Sequence, residues 1–183
     1  MNLKEQIEKF IPFNEQEIND KEQFLKFIDT FDDVLTRDNI FGHFSASAFV
    51  VNKERTKMLV VYHIINDGWI HPGGHADGEE DLLAVTVREV EEETGLKAKV
   101  LDENIYSIQS EPVKGHIKRG KYVSAHLHLD IIYLMEADDN IPLIYREEES
   151  KGVKWVDFAE ATDETMCDFV RPTHAKLIDK LIK

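Results

Sequence analysis

The chain reads as an α/β protein, a mixed β-sheet with helices packed on it, preceded by a helical N-terminal segment. Three observations carry that reading. Apolar residues recur at helical spacing before about residue 36, again in 81–94, and again near the C-terminus. Between these stretches lie runs rich in β-branched and aromatic residues. The order is helix, strands, helix, strands, helix, which is not a regular βαβ alternation.

The elements follow in order. Phe24, Phe27, Ile28, Phe31 and Leu35 mark one helical stripe, and Leu3, Ile7, Phe10 and Ile11 a shorter one before Pro12. Residues 1–40 are therefore expected as a helical N-terminal extension, and 41–183 as the main domain. The extension could cover a cleft, support a homodimer or pack on the sheet. HFSASAFVV and MLVVYHI read as two strands of a hairpin joined by NKERTK. WIHPGG is a short extended piece ending in a turn. AKVLDENIYSIQS reads as a strand or two, YVSAHLHLDIIYLME as the longest strand and GVKWVDF as a late one. Pro172 opens a final helix with His174, Leu177, Ile178 and Leu181 on one face.

Bulk composition bounds the function. With 183 residues and 42% hydrophobic content, the chain suits one globular domain, alone or with an appendage. Its net charge of -14, from 36 acids and 22 bases, argues against a nucleic acid polymer or an anionic membrane as partner. It does not exclude a small polyanion, because a bound divalent cation reverses the local field. Cys167 is the one cysteine, so no intrachain disulfide forms and a reducing cytoplasm is expected. The N-terminus lacks an apolar signal core, and no run reaches the roughly 18–20 apolar residues of a membrane span.

The most informative stretch is GGHADGEEDLLAVTVREVEEETGL, residues 73–96. On a helix over 81–94, Leu83, Val87 and Val90 are expected to face a core. Glu89, Glu92 and Glu93 stand at i, i+3 and i+4 on another side. Each like-charged pair there costs roughly 0.2–0.5 kcal/mol. Such a cluster is either a solvated acidic face or a set of oxygen ligands for a hard divalent cation. Arg88 can pair with Glu92, and Gly95 ends the helix. Gly73 and Gly74 lie before the helix, where missing side chains let a ligand approach the backbone. Taken alone, the glycine pair is equally a tight turn beside Pro72.

The spacing is more specific than the charge. Gly74, Glu80, Arg88-Glu89, Val90, Glu92-Glu93, Gly95 and Leu96 resemble the Nudix box at every defined position. The box covers Gly74 to Leu96. The flanking strand pattern is also similar to that family from about His43 onward, which makes 41–183 the expected Nudix domain. The resemblance implies an α/β/α sandwich and hydrolysis of a nucleoside diphosphate linked to another moiety. It implies that Glu89, Glu92 and Glu93 are metal ligands for Mg2+ or Mn2+, with the Gly74 carbonyl beside them. Glu92 and Glu93 then carry catalysis, Arg88 orients the glutamates and Glu80 supports the site. The general base would be a box glutamate or one from a later loop, where Glu147, Glu148 and Glu149 stand; Glu148 is the candidate kept.

Other constellations bear on substrate. In YVSAHLHLDII, Ser124, His126, His128 and Asp130 share one face, which is a polar outer face, a pocket wall or a metal site. Tyr62, His63 and Trp69 flank the box, as core or as a base-stacking surface. Pro112 lies 16 residues past Leu96, a spacing that resembles ADP-ribose hydrolysing members. It sits in a loop, SEPVKGHIKRGK, whose Lys114, Lys118, Arg119 and Lys121 form a basic patch suited to substrate phosphate. The expected partner is thus a small nucleotide-derived molecule, ADP-ribose or a nucleotide sugar ahead of others. The rivals are an (oxidised) dNTP pyrophosphohydrolase, a non-catalytic nucleotide sensor, an isoprenoid diphosphate isomerase needing Cys167 in its cleft, and an RNA-decapping enzyme.

Overall fold

The computed structural model describes residues 1–64, 66–118, 120–145 and 150–183. The elements are α1 (Leu3–Lys9), α2 (Glu15–Ile28), β1 (Gly42–Val51), β2 (Lys57–His63), β3 (Gly68–Ile70), β4 (Gly73–His75) and α3 (Leu82–Thr94). There follow β5 (Lys99–Val100), β6 (Ser107–Val113), β7 (His116–Lys118), β8 (Lys121–Val123), β9 (His126–Glu136), β10 (Ser150–Asp157) and α4 (Arg171–Ile182).

The main sheet runs β10-β2-β1-β9, with β5 and β6 both pairing β9, β3 pairing β2 and β4 pairing β1. Strands β1 and β9 are parallel from Gly42↔Leu127 to Val51↔Glu136. The other named pairs are antiparallel, so the sheet is mixed. On one face Phe44, Ala46, Ala48 and Val50 of β1 pack with Leu82, Val85 and Val90 of α3 and with Ile7 and Phe24 of α1 and α2. On the other, Phe49, Val51, Ile132 and Leu134 pack with Leu177 of α4. Helices therefore cover both faces, the sandwich the sequence suggests.

The second face changes character along its length. In β1 the residues are His43, Ser45 and Ser47, then Phe49 and Val51. In β9 they are His126, His128 and Asp130, then Ile132 and Leu134. Parallel pairing sets His43 beside His128 and Ser45 beside Asp130. The apolar halves meet under α4, and the polar halves meet at the other end, where they line a cavity.

Three expectations need correction. The second N-terminal helix stops at Ile28, not near 36, because the Thr30 hydroxyl caps Lys26 O and Asn39 bonds Asp33, competing with helical bonding. Phe31 instead stacks between Phe27 and Phe41. The buried stripe of α3 is Leu82, Val85, Thr86, Val90 and Thr94, while Val87 is 37% exposed. Thr86 and Thr94 can be buried because each donates its hydroxyl to the carbonyl four residues back, at 2.8 and 2.6 Å. Pro112 lies in strand β6, not in a loop.

The N-terminal helices are tied in by a buried carboxylate. Glu17 is 0% exposed; it accepts from Ser107 Oγ at 2.5 Å and from Phe13 N at 2.7 Å, and lies 3.4 Å from Lys176 Nζ. Among the described residues no helix is long and apolar enough to cross a membrane.

Candidate functional site

Helix α3 begins at Asp81, whose side chain accepts from Ala84 N at 3.0 Å, and ends at Gly95, whose φ of 72° suits a glycine terminator. Because the buried stripe runs through Val85 and Val90, the half-buried Glu89 and Glu93 flank it and face β4. The Gly73 amide donates to Glu93 Oε2 at 3.0 Å. The Glu89 carboxylate occupies the space a side chain at Gly74 would need: an ideal Cβ there would lie 2.5 Å from Oε1 and 2.8 Å from Oε2. Two box glutamates thus converge on the glycine pair. Glu92, also half-buried, borders a hollow of about 810 Å³ on the outer side of α3, which Arg88 also lines. Arg88 donates to Glu79 Oε2 at 2.6 Å; that bond, then the charges of Glu79, Glu89 and Glu92, raise its pKa against burial. Glu80 is exposed on the preceding loop.

Gly73 and Gly74 also line a cavity of about 1070 Å³ on the other side of β4. His43, His75, His126 and His128 crowd its wall. His75 Nε2 and His128 Nε2 are 3.2 Å apart, and the His43 ring centroid lies 5.0 Å from those of His126 and His128. Burial, followed by neighbouring imidazoles and Arg37, pulls His43 down to about 4, His75 to about 3 and His128 to about 2. All three are neutral near pH 7. Pro112, Lys114 and Lys118 line the same cavity.

Behind this wall sits a network that the sequence reading did not assemble. His174 Nδ1 donates to Ala161 O at 2.8 Å, since a carbonyl only accepts. Its Nε2 therefore accepts from His71 Nδ1 at 3.2 Å. The other nitrogen of His71 faces Asp130 Oδ2 at 3.5 Å, while Asp130 Oδ1 accepts from Ser45 and Ser47 at 2.7 and 2.8 Å. Burial lowers the His71 pKa, but Asp130 and Glu111 outweigh it and the net shift is upward. Burial, then the charge of Asp130, pushes Glu111 up to about 7. Asp130 in the polar row of β9 and His174 on the final helix face were visible in the sequence, but not their connection through His71.

The remaining candidates fall as follows. His126 and His128 line the cavity, so the polar face of β9 is a wall and not an outer surface. Arg119 and Glu148 lie outside the described residues. Trp69 packs edge-on against Tyr62 and beside the second core cluster. Cys167 reaches the cavity, but burial raises its thiol pKa and its Sγ donates to Asn66 O at 3.7 Å. It is a thiol, not a thiolate, at neutral pH.

The donor set fits a hard divalent cation. Glu89 and Glu93, beside the glycine backbone, offer oxygen alone, the preference of Mg2+ and Mn2+, while Glu92 borders the outer hollow instead. The absent side chain at Gly74 leaves its backbone directly against Glu89.

Comparison with known proteins identifies the family. The chain is 27% identical over 122 residues to the RNA pyrophosphohydrolase of Sphingopyxis alaskensis, covering 63% of this chain and 76% of that protein. It is 32% identical over 120 residues to the RNA pyrophosphohydrolase of Pelagibacter ubique, covering 62% and 75%. Its fold is similar to the crystal structure of the MutT protein from Methanosarcina mazei Go1, with a TM-score of 0.56 at 19% identity over 78% of this chain and 97% of the other. The NUDIX domain profile matches residues 42–181. The chain belongs to the NUDIX domain family and is a hydrolase of that family.

Proposed function

We propose that this hydrolase cleaves the pyrophosphate bond of a nucleoside diphosphate linked to another moiety, with ADP-ribose or a nucleotide sugar as substrate. One observation carries the reading: the glycine pair that backs onto Glu89 and Glu93 also lines the large cavity. Carboxylates and cavity therefore meet at one short stretch of backbone, from opposite sides of β4. The volume, about 1070 Å³, lies just above the range of roughly 300–1,000 Å³ for small-molecule sites, which suits a dinucleotide-sized ligand.

In this reading Glu89, Glu92, Glu93 and the Gly74 carbonyl hold Mg2+ or Mn2+. When bound, the ion polarises the phosphoryl group and lowers the pKa of a bound water. The protein's own groups do the rest. Glu92 and Glu93 fix the ligand geometry and one of them, or Glu148, takes the proton of the attacking water. Arg88 orients the glutamates, and Glu80 supports the site. Lys114, Lys118 and Arg119 offer positive charge to the phosphates, and His126 and His128 shape the wall for the rest of the substrate. Pro112 stands in the wall at the spacing that favours ADP-ribose. We keep residues 1–40 as the N-terminal extension and 41–183 as the Nudix domain. A cytoplasmic setting fits the single cysteine, and a homodimer through the exposed Ile11 and Ile18 fits the extension. The charge of -14 disfavours an RNA track.

The test is product release, in Mg2+ and then Mn2+, from ADP-ribose, nucleotide sugars, dinucleoside polyphosphates, NADH, coenzyme A, (oxidised) dNTPs and 5′-triphosphate RNA. Metal-dependent cleavage of the nucleoside diphosphate derivatives, lost in Glu93→Gln, is expected. Cleavage of triphosphates or RNA alone would overturn the substrate class, and nucleotide binding with no turnover would make the protein a sensor.

A further inference from the structure

We infer a second metal site, built by His43, His75 and His128, that takes one Zn2+ ion. Three strands supply it. Parallel pairing of β1 with β9 sets His43 opposite His128, and antiparallel pairing of β1 with β4 sets His75 opposite Ser45, on the same face. One ring nitrogen from each histidine lies within 4.8 Å of the other two.

Distance and partnering both point to a cation. Zn–N bonds of about 2.0–2.1 Å in a tetrahedral site place two ligand nitrogens roughly 3.4 Å apart. His75 Nε2 and His128 Nε2 share a hydrogen bond of 3.2 Å, which a cation would replace at close to that separation without movement. His43 adds an independent observation. It is 4% exposed, with the Asn39 backbone nearby but no hydrogen bond of good geometry to either ring nitrogen. Buried polar atoms are normally satisfied. A cation among the three rings would satisfy one nitrogen of each at once, and leave a fourth position open toward the cavity that Lys114 and Lys118 line. Water, or an anionic oxygen of whatever occupies the cavity, would fill it.

The donor chemistry separates this site from the box. Imidazole nitrogen suits Zn2+, whereas Mg2+ and Ca2+ require oxygen. Gly74 faces Glu89 and its neighbour His75 points to the opposite side of β4, so the two sites stand back to back on adjacent residues. His126 stays outside the set: its Nδ1 donates to Ser124 O at 2.8 Å, and its ring lies tilted beside His43 and edge-on to His128. The inference does not depend on which bond the enzyme hydrolyses.

The experiment is titration of metal-free full-length protein with Zn2+ in excess Mg2+, with Co2+ absorption as a coordination probe. One Zn2+ per chain that Mg2+ does not displace is expected, with the intense visible bands of four-coordinate Co2+. His128→Asn and His75→Asn should each weaken zinc by at least about 10–100-fold, the loss typical of disturbing even an outer partner. His126→Asn and Glu93→Gln should retain it. Thermal unfolding checks that each variant is folded, and either histidine variant suffices if the other fails. Zinc bound equally by the histidine variants, lost in Glu93→Gln, or not held against Mg2+ would overturn the site.

Discussion

Gly74→Ala separates the fold from the chemistry. A Cβ at this position would lie 2.5 Å from Glu89 Oε1, against an ordinary contact of at least 3.4 Å. The carboxylate carbon is closer still, so the group must retreat by about 1 Å. The obstacle is the end of a flexible side chain, and Gly74 does not have a positive φ, so the backbone need not move. Stability should change by less than about 1 kcal/mol, or roughly 2–4 °C in Tm for a chain of this size. A misplacement near 1 Å at a reacting centre costs on the order of 100-fold in rate. The assay is kcat at saturating Mg2+ beside a thermal melt. A kcat near wild type would refute the role given to the Glu89–Gly74 contact. Gly73→Ala is the control: its Cβ would lie 2.7 Å from Ser47 Cα and 2.8 Å from Ala46 O, so it strikes strand backbone and should lower Tm.

Three further outcomes follow from the structure. Glu92→Gln and Glu93→Gln should each lower metal-dependent kcat by on the order of 100-fold or more in steady-state assays. Glu17→Ala should leave Lys176 buried without its carboxylate and cost about 3–5 kcal/mol in denaturant melts, toward the lower end because Lys176 still donates to Gln16 at 2.7 Å and Ile108 O at 2.8 Å. In the metal-free protein, stability should fall as pH drops from 6.5 toward 4. His43, His75, His128 and His174, with folded values of about 4, 3, 2 and 3, stay neutral while the unfolded chain takes up protons. Above pH 6.5 they contribute nothing to stability, being neutral in both states. Glu111, held up to about 7, opposes them by keeping a proton that the unfolded chain releases. His128→Gln should flatten the slope by about 1.4 kcal/mol per pH unit.

The elements that one segment determines were legible in the sequence. The box helix, its glycine terminator, the β1–β2 hairpin and the alternation of β9 all depend on local periodicity and turn chemistry. The phase of α3 was misjudged because Thr86 and Thr94 are polar by composition, yet satisfy their hydroxyls within their own helix and can be buried. What joins distant segments could not be read. The HxHxD row of β9 was visible, but its partners come from β1, β4 and β6. Only the parallel β1–β9 register and the β6–β9 pairing bring His43 to His128 and Glu111 beside His128. The same limit hid the His71–His174 contact, which spans 103 positions of sequence. Family resemblance supplied roles for the box acids, whereas the cavity face had no such template.

The measurement that tests the central claim most directly is the initial rate of AMP release from ADP-ribose as Mg2+ is titrated, for the wild-type chain and for Glu93→Gln. The account predicts a rate that rises to saturation with Mg2+ in the wild type and stays near the blank in the variant. Equal rates in the two proteins, or release that persists in excess chelator, would contradict it.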